Sequence, residues 1–97
     1  MALKIDLTEI SDDELLIMVK ELLDYGDNDF DDNKLRLRIE GAKQFLLMCD
    51  VPEVVVNSKA SVEVIASYVN DRDLYNDLTD FTLKKVIQLR MVKIENV

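Results

Sequence analysis

Leu35, Ile39, Ala42, Leu46 and Cys49 recur at intervals of three and four residues, the spacing that stacks side chains on one face of an α-helix. A helix over 32–49 follows, with this stripe as its core face. Leu37, Gly41, Gln44 and Met48 fall on the opposite side. Glycine in a helix interior costs about 1 kcal/mol relative to alanine, and close approach of another backbone at Gly41 is a common compensation. The second face is therefore a candidate interface, unless a further helix or the N-terminal arm of the same chain covers it.

Three more segments carry helical signals. Ser11-Asp12-Asp13-Glu14 has the capping-box pattern, in which the serine hydroxyl takes an orphan N–H and the glutamate reaches back. A first helix is expected over 12–24. Its run Leu15, Leu16, Ile17, Met18 and Val19 covers more than one face, so part of it, Ile17 included, should pack outside its own core. A loop spans 25–33, with Asp31 or Asp32 placed to cap the second helix. Asp50, Val51 and Pro52 end that helix, because the proline ring disfavours helical geometry at the preceding residue. Val54 to Val56 reads as extended or as a short turn. Ser58 or Ser61 opens a third helix over 59–72, with Val62, Ile65, Ala66 and Val69 on one face and Val64 and Tyr68 off it. After a polar loop over 73–80, Thr79 or Asp80 caps a last helix over 81–92. Its expected stripe is Leu83, Val86, Ile87 and Met91, and Lys84, Lys85, Arg90 and Lys93 complement its negative end.

Before the first cap, Leu3, Ile5 and Leu7 alternate with polar residues, which suggests an extended arm over 1–10 that needs a partner surface. Residues 94–97 form a tail. The expected fold is all-α: one domain over 1–97, a small antiparallel bundle of about four helices with an extended N-terminal arm. Composition agrees, since apolar residues make up 48% of the chain and only two Gly and one Pro interrupt it.

Charge and side-chain inventory narrow the function. Net charge is -8; residues 1–33 hold eleven acids against Lys4 and Lys20, whereas 34–97 hold nine acids against ten bases. Such a chain is poorly suited to neutralising phosphates or an anionic membrane surface. The acidic first third and the basic last helix are candidate complementary patches between subunits. With no His and one Cys, triads, Cys-His nucleophiles and the usual zinc sites lack support. Cys49 reads as a buried structural thiol that cannot form an internal disulfide, which fits a reducing compartment. Asp27, Asp29 and Asp31 alternate like the first ligands of a calcium loop, but Asp32 stands where glycine is needed and Arg38 where the bidentate acid belongs. Gly26 and Gly41 make no phosphate cradle. Adjacent pairs such as Asp12 and Asp13 read as helix N-terminal charges. The expectation is no catalytic site, no metal and no cofactor. No apolar run is long enough for a membrane span or a signal-peptide core, so a cytoplasmic protein is expected.

One resemblance gathers these features. Val19-Lys20-Glu21-Leu22-Leu23, then Phe30-Asp31-Asp32 leading into Leu35, Ile39 and Ala42-Lys43-Gln44-Phe45-Leu46, are followed by Ala66-Ser67-Tyr68-Val69-Asn70-Asp71 and Val86-Ile87-Gln88-Leu89-Arg90. Over about 12–91 the chain resembles the head-to-tail connector, or adaptor, family of tailed bacteriophages and prophages. The resemblance implies a structural protein of head completion and DNA packaging that self-assembles into a ring, roughly twelve-fold, beneath the portal. It implies contact with the portal protein and with a stopper or tail-completion protein, and DNA passing through without specific binding. It places the protein in the host cytoplasm during assembly and then at the virion's head-to-tail junction. The connection between the third and fourth helices is shorter than relatives often carry. An acidic ring lumen would repel phosphates and leave the duplex free to pass. Ile17, Leu37, Gly41, Gln44, Met48, Lys84, Lys85 and Arg90 are the candidate subunit or partner contacts. The competing reading is a small acidic cytoplasmic regulator that occupies a basic surface on a partner.

Overall fold

The computed structural model describes residues 6–23, 32–74 and 77–92. Among them run five helices: α1 (Asp12–Leu22), α2 (Asp32–Met48), α3 (Glu53–Val56), α4 (Val62–Leu74) and α5 (Asp80–Arg90), with a 3-10 turn at Lys59–Ser61 leading into α4. The protein is a small all-α bundle.

The helix ends follow from local chemistry. Ser11 Oγ accepts the Glu14 N–H at 3.2 Å and donates to the Glu14 carboxylate at 3.3 Å. Thr79 Oγ1 accepts the Thr82 N–H at 3.4 Å and caps α5. The C-terminus of α2 closes as a Schellman motif: the Val51 N–H bonds the Leu46 carbonyl and the Asp50 N–H bonds the Leu47 carbonyl, both at 3.1 Å. Asp50 takes the left-handed conformation that this motif requires, φ 67°. Buried Leu46 and Val51 supply its apolar contact.

The central element is α4, against which α1, α2 and α5 all pack. Antiparallel order shows in the side chains that cross between helices. Arg38 Nη1 on α2 meets Asp73 Oδ1 near the end of α4 at 2.8 Å, and further along α2 the Phe45 ring lies 5.1 Å from that of Tyr68. In the α1–α2 pair, Lys20 bonds Asp32 at 2.8 Å near one end and Lys43 bonds Asp12 at 2.9 Å near the other. Leu15, Leu16, Val19, Leu35, Ile39 and Leu46 close the core from this pair, each worth about 1.5–3 kcal/mol when fully buried.

The described part of the arm finds its partner inside the chain. Ile10 N–H bonds Asn57 O at 3.1 Å, and Thr8 O and Asp6 O accept from Lys59 and Ala60 at 2.9 Å. Glu9 and Ser58 form an isolated antiparallel bridge. Buried Ser58 and Ser61 direct their hydroxyls at the carbonyls of Val55 and Val56, at 2.8 and 2.7 Å. Both buried hydroxyls are thereby satisfied within the chain. Leu3, Ile5, the acidic loop with Asp27, Asp29 and Asp31, and the tail lie outside the described residues.

Val54 to Val56 take the turn alternative, as α3, a single helical turn that buries Val55 and Val56. Three expectations are corrected. Val64 is buried with the main α4 face, because a helix enclosed by three others needs more than one apolar stripe. Cys49 is only half-buried, since it lies past the last residue of α2, in the closing turn. The α5 stripe is displaced: Thr82, Val86 and Leu89 face the core, while Leu83, Ile87 and Met91 face outward.

Candidate subunit interface

Ion pairs zip α1 to α2 along one edge. Arg36 Nη2 reaches Asp13 Oδ1 at 2.6 Å, beside the Lys43–Asp12 and Lys20–Asp32 pairs. The Lys43 hydrogen bond, reinforced by that residue's charge, holds the Asp12 carboxyl below its ordinary value. Pairs this exposed contribute little stability. Their effect on the surface is larger, because Asp12, Asp13 and Asp32, three acids of the acidic first third, are engaged within the chain.

Beyond this edge the helix sides remote from the core turn outward together. Neighbouring helices that pack on one core leave the sides remote from it to solvent. Ile17, with Glu14 and Glu21 about it, comes from α1; Leu37, Glu40, Gln44 and Met48 come from α2. Ile17 is 57% exposed, Leu37 74% and Met48 82%. Gln44 donates to the Glu40 carboxylate at 3.4 Å. Gly41 lies at the margin, and a Cβ added there would meet nothing within 4 Å. The close backbone approach expected at Gly41 is therefore not made within the described residues. Ile17, Leu37, Gln44 and Met48 are all exposed, as are the acids Glu14, Glu21 and Glu40 on the same two helices.

The basic residues of α5 divide. Lys84 and Arg90 are exposed beside the ridge of Leu83, Ile87 and Met91, whose exposures are 40%, 47% and 70%; Asp80 stands at the head of that ridge. Lys85 turns the other way, its Nζ 5.4 Å from the centre of the Phe81 ring. It lines an open groove of about 540 Å³ between α1 and α5, with Met18, Leu22, Lys59, Glu63 and Leu89. The three cations thus do not form one patch.

A buried polar cluster fixes which side of α5 faces α4. Asp71 Oδ2 accepts the Thr79 N–H and Thr79 hydroxyl at 2.9 Å and the Thr82 hydroxyl at 2.5 Å. With both threonine protons directed at the carboxylate, Ser67 must be the donor in its 2.6 Å bond to Thr82 Oγ1. Burial pushes the Asp71 carboxyl up, but the hydrogen bonds from Thr82 and Thr79 outweigh it and leave the group below its ordinary value. A threonine with a buried carboxylate to bond displaces leucine from the core-facing position. The exposed ridge was missed for that reason. Its signal in the sequence was the i, i+4, i+7 series Thr82, Val86, Leu89, with Asp71 on the neighbouring helix as a polar partner for the threonine.

Among the described residues no group of three potential metal ligands gathers, and no helix is long and apolar enough to cross a membrane. Comparison of the chain with protein-family models, with curated proteins and with solved structures gives no match.

Proposed function

We propose that this protein is a structural subunit of a phage or prophage head-to-tail connector, assembling as a ring between the portal and a tail-completion or stopper protein. The observation that carries the reading is the exposure of large apolar side chains on two separate helical surfaces: Ile17, Leu37 and Met48 on one, Leu83, Ile87 and Met91 on the other. A subunit of a closed ring uses two unlike patches, one for each neighbour, and contiguous exposed apolar surface marks association sites. The short bundle supplies a rigid body on which both are displayed. Acidic surface suits a passage for DNA, because carboxylates repel the phosphates of the moving duplex. Assembly would begin in the host cytoplasm and end in the virion.

The test is co-expression with a tailed-phage portal protein from the genome that encodes this chain, followed by size-exclusion chromatography and electron microscopy of the complex. A ring bound coaxially to the portal supports the proposal; a portal that elutes free of this protein sinks it. A second reading is favoured by the exposed acids Glu14, Glu21 and Glu40 around one apolar surface: an acidic module that covers a basic patch on a partner. Binding to such a partner at one-to-one stoichiometry, with no portal complex, would select it.

A further inference from the structure

We infer that the α5 ridge of one copy docks on the outer α1–α2 surface of a second copy, a head-to-tail contact between unlike faces. The inference rests on the self-assembly part of the connector reading and names the surfaces that would carry it. Both faces carry exposed large apolar side chains, and the charged residues about them differ in sign. Lys84 and Arg90 flank Leu83, Ile87 and Met91, outnumbering Asp80; Glu14, Glu21 and Glu40 lie among Ile17, Leu37 and Met48, outnumbering Lys34. Pairing two ridges would oppose like cations, and pairing two α1–α2 surfaces would oppose like carboxylates, so the unlike pairing is the favourable one.

The two faces cannot meet within one chain. The groove between α1 and α5 is lined from α1 by Met18 and Leu22 and from α5 by Lys85, Gln88 and Leu89. Ile17, Leu83 and Ile87 lie roughly 100° or more around their helix axes from those lining residues, and Met91 lies about 60° beyond Gln88. Contact is therefore made in trans. Gly41 supplies a notch at the margin of the receiving face: the space its missing side chain leaves is empty in the subunit and admits a neighbouring ridge closely.

The test uses two full-length variants, Leu37→Lys and Ile87→Asp, each altering an exposed residue and each checked for native helicity by circular dichroism. In sedimentation equilibrium the unmodified chain should associate with rising concentration, and each variant alone should bind itself at least about tenfold more weakly. An equimolar mixture should form a heterodimer and stop there, because each variant keeps one competent face. Undiminished self-association of either variant overturns the inference, as does a mixture that stays monomeric. An unmodified chain that stays monomeric at millimolar concentration overturns it too, while a portal complex obtained by co-expression would leave the connector reading standing. Conversely, association that follows this pattern without any portal binding supports the docking and sinks the connector reading.

Discussion

Helices α2 and α5 each carry a stripe of apolar residues at helical spacing, yet the stripe of α2 is buried and that of α5 faces outward. The difference lies in their neighbours. Three helices, α1, α3 and α4, pack against α2, and leucine, isoleucine and valine fill the space between them. The partner of α5 is α4, and that helix presents Asp71 and Ser67 to it. A buried carboxylate without donors is far costlier than an exposed leucine, so α5 rotates to bring Thr79 and Thr82 to Asp71. The apolar residues on its other side are left to solvent. Hydrophobic periodicity locates a helix; the polar groups of the surface it meets can decide which face is used.

Substitution of one residue in each stripe gives the largest expected contrast. Leu46→Ala should lower the unfolding free energy by about 3 kcal/mol, within the range for cavities in a packed core, whereas Ile87→Ala should change it by less than about 1 kcal/mol. Chemical denaturation of both measures the difference, and equal losses would show that α5 is turned the other way. Next in size is Asp71→Ala, which strands three donors from Thr79 and Thr82 and should cost about 2 kcal/mol. A loss near zero would mean that the carboxylate does not orient α5.

The same carboxylate predicts an acid dependence. Its folded value is depressed, so its contribution is present above the unfolded value near 3.8 and is lost as pH falls through the folded value below that. Denaturation midpoints should decline more steeply with acid below about pH 4 in the native chain than in Asp71→Asn. Parallel declines would count against the assignment. The smallest effect concerns how the helices end: α2 uses left-handed Asp50, whereas α5 ends on right-handed Met91. Asp50→Gly should gain about 0.5–1 kcal/mol by removing the Cβ strain, read as a rise in thermal midpoint, and a fall would show that the Asp50 side chain itself contributes.

Much of this architecture was legible because it is written locally. Ser11 and Thr79 announce α1 and α5, Pro52 marks the connection after α2, and the Leu35, Ile39, Ala42, Leu46 stripe identifies the core face of α2. The exposure of Ile17, Leu37, Gln44 and Met48 was legible on the same basis, as the remainder once the core faces are known. What escaped depends on partners distant in sequence. Asp13 meets Arg36 and Asp12 meets Lys43, at separations of 23 and 31 residues, so the remaining acids of the outer face could not be told from the engaged ones. The rotation of α5 depends on Asp71, and the burial of Val64 on three helices converging around α4.

The central place of α4 has a consequence in time. A chain emerging from the ribosome exposes α1 and α2 before the helix that covers their apolar sides exists, and the arm must wait for 57–60 before its backbone groups find partners. Until Val62 to Val69 appear, α1 and α2 have only each other and α3 to pack against. Nascent chains halted before that point should remain open to protease, with protection arriving in one step once α4 has cleared the exit tunnel.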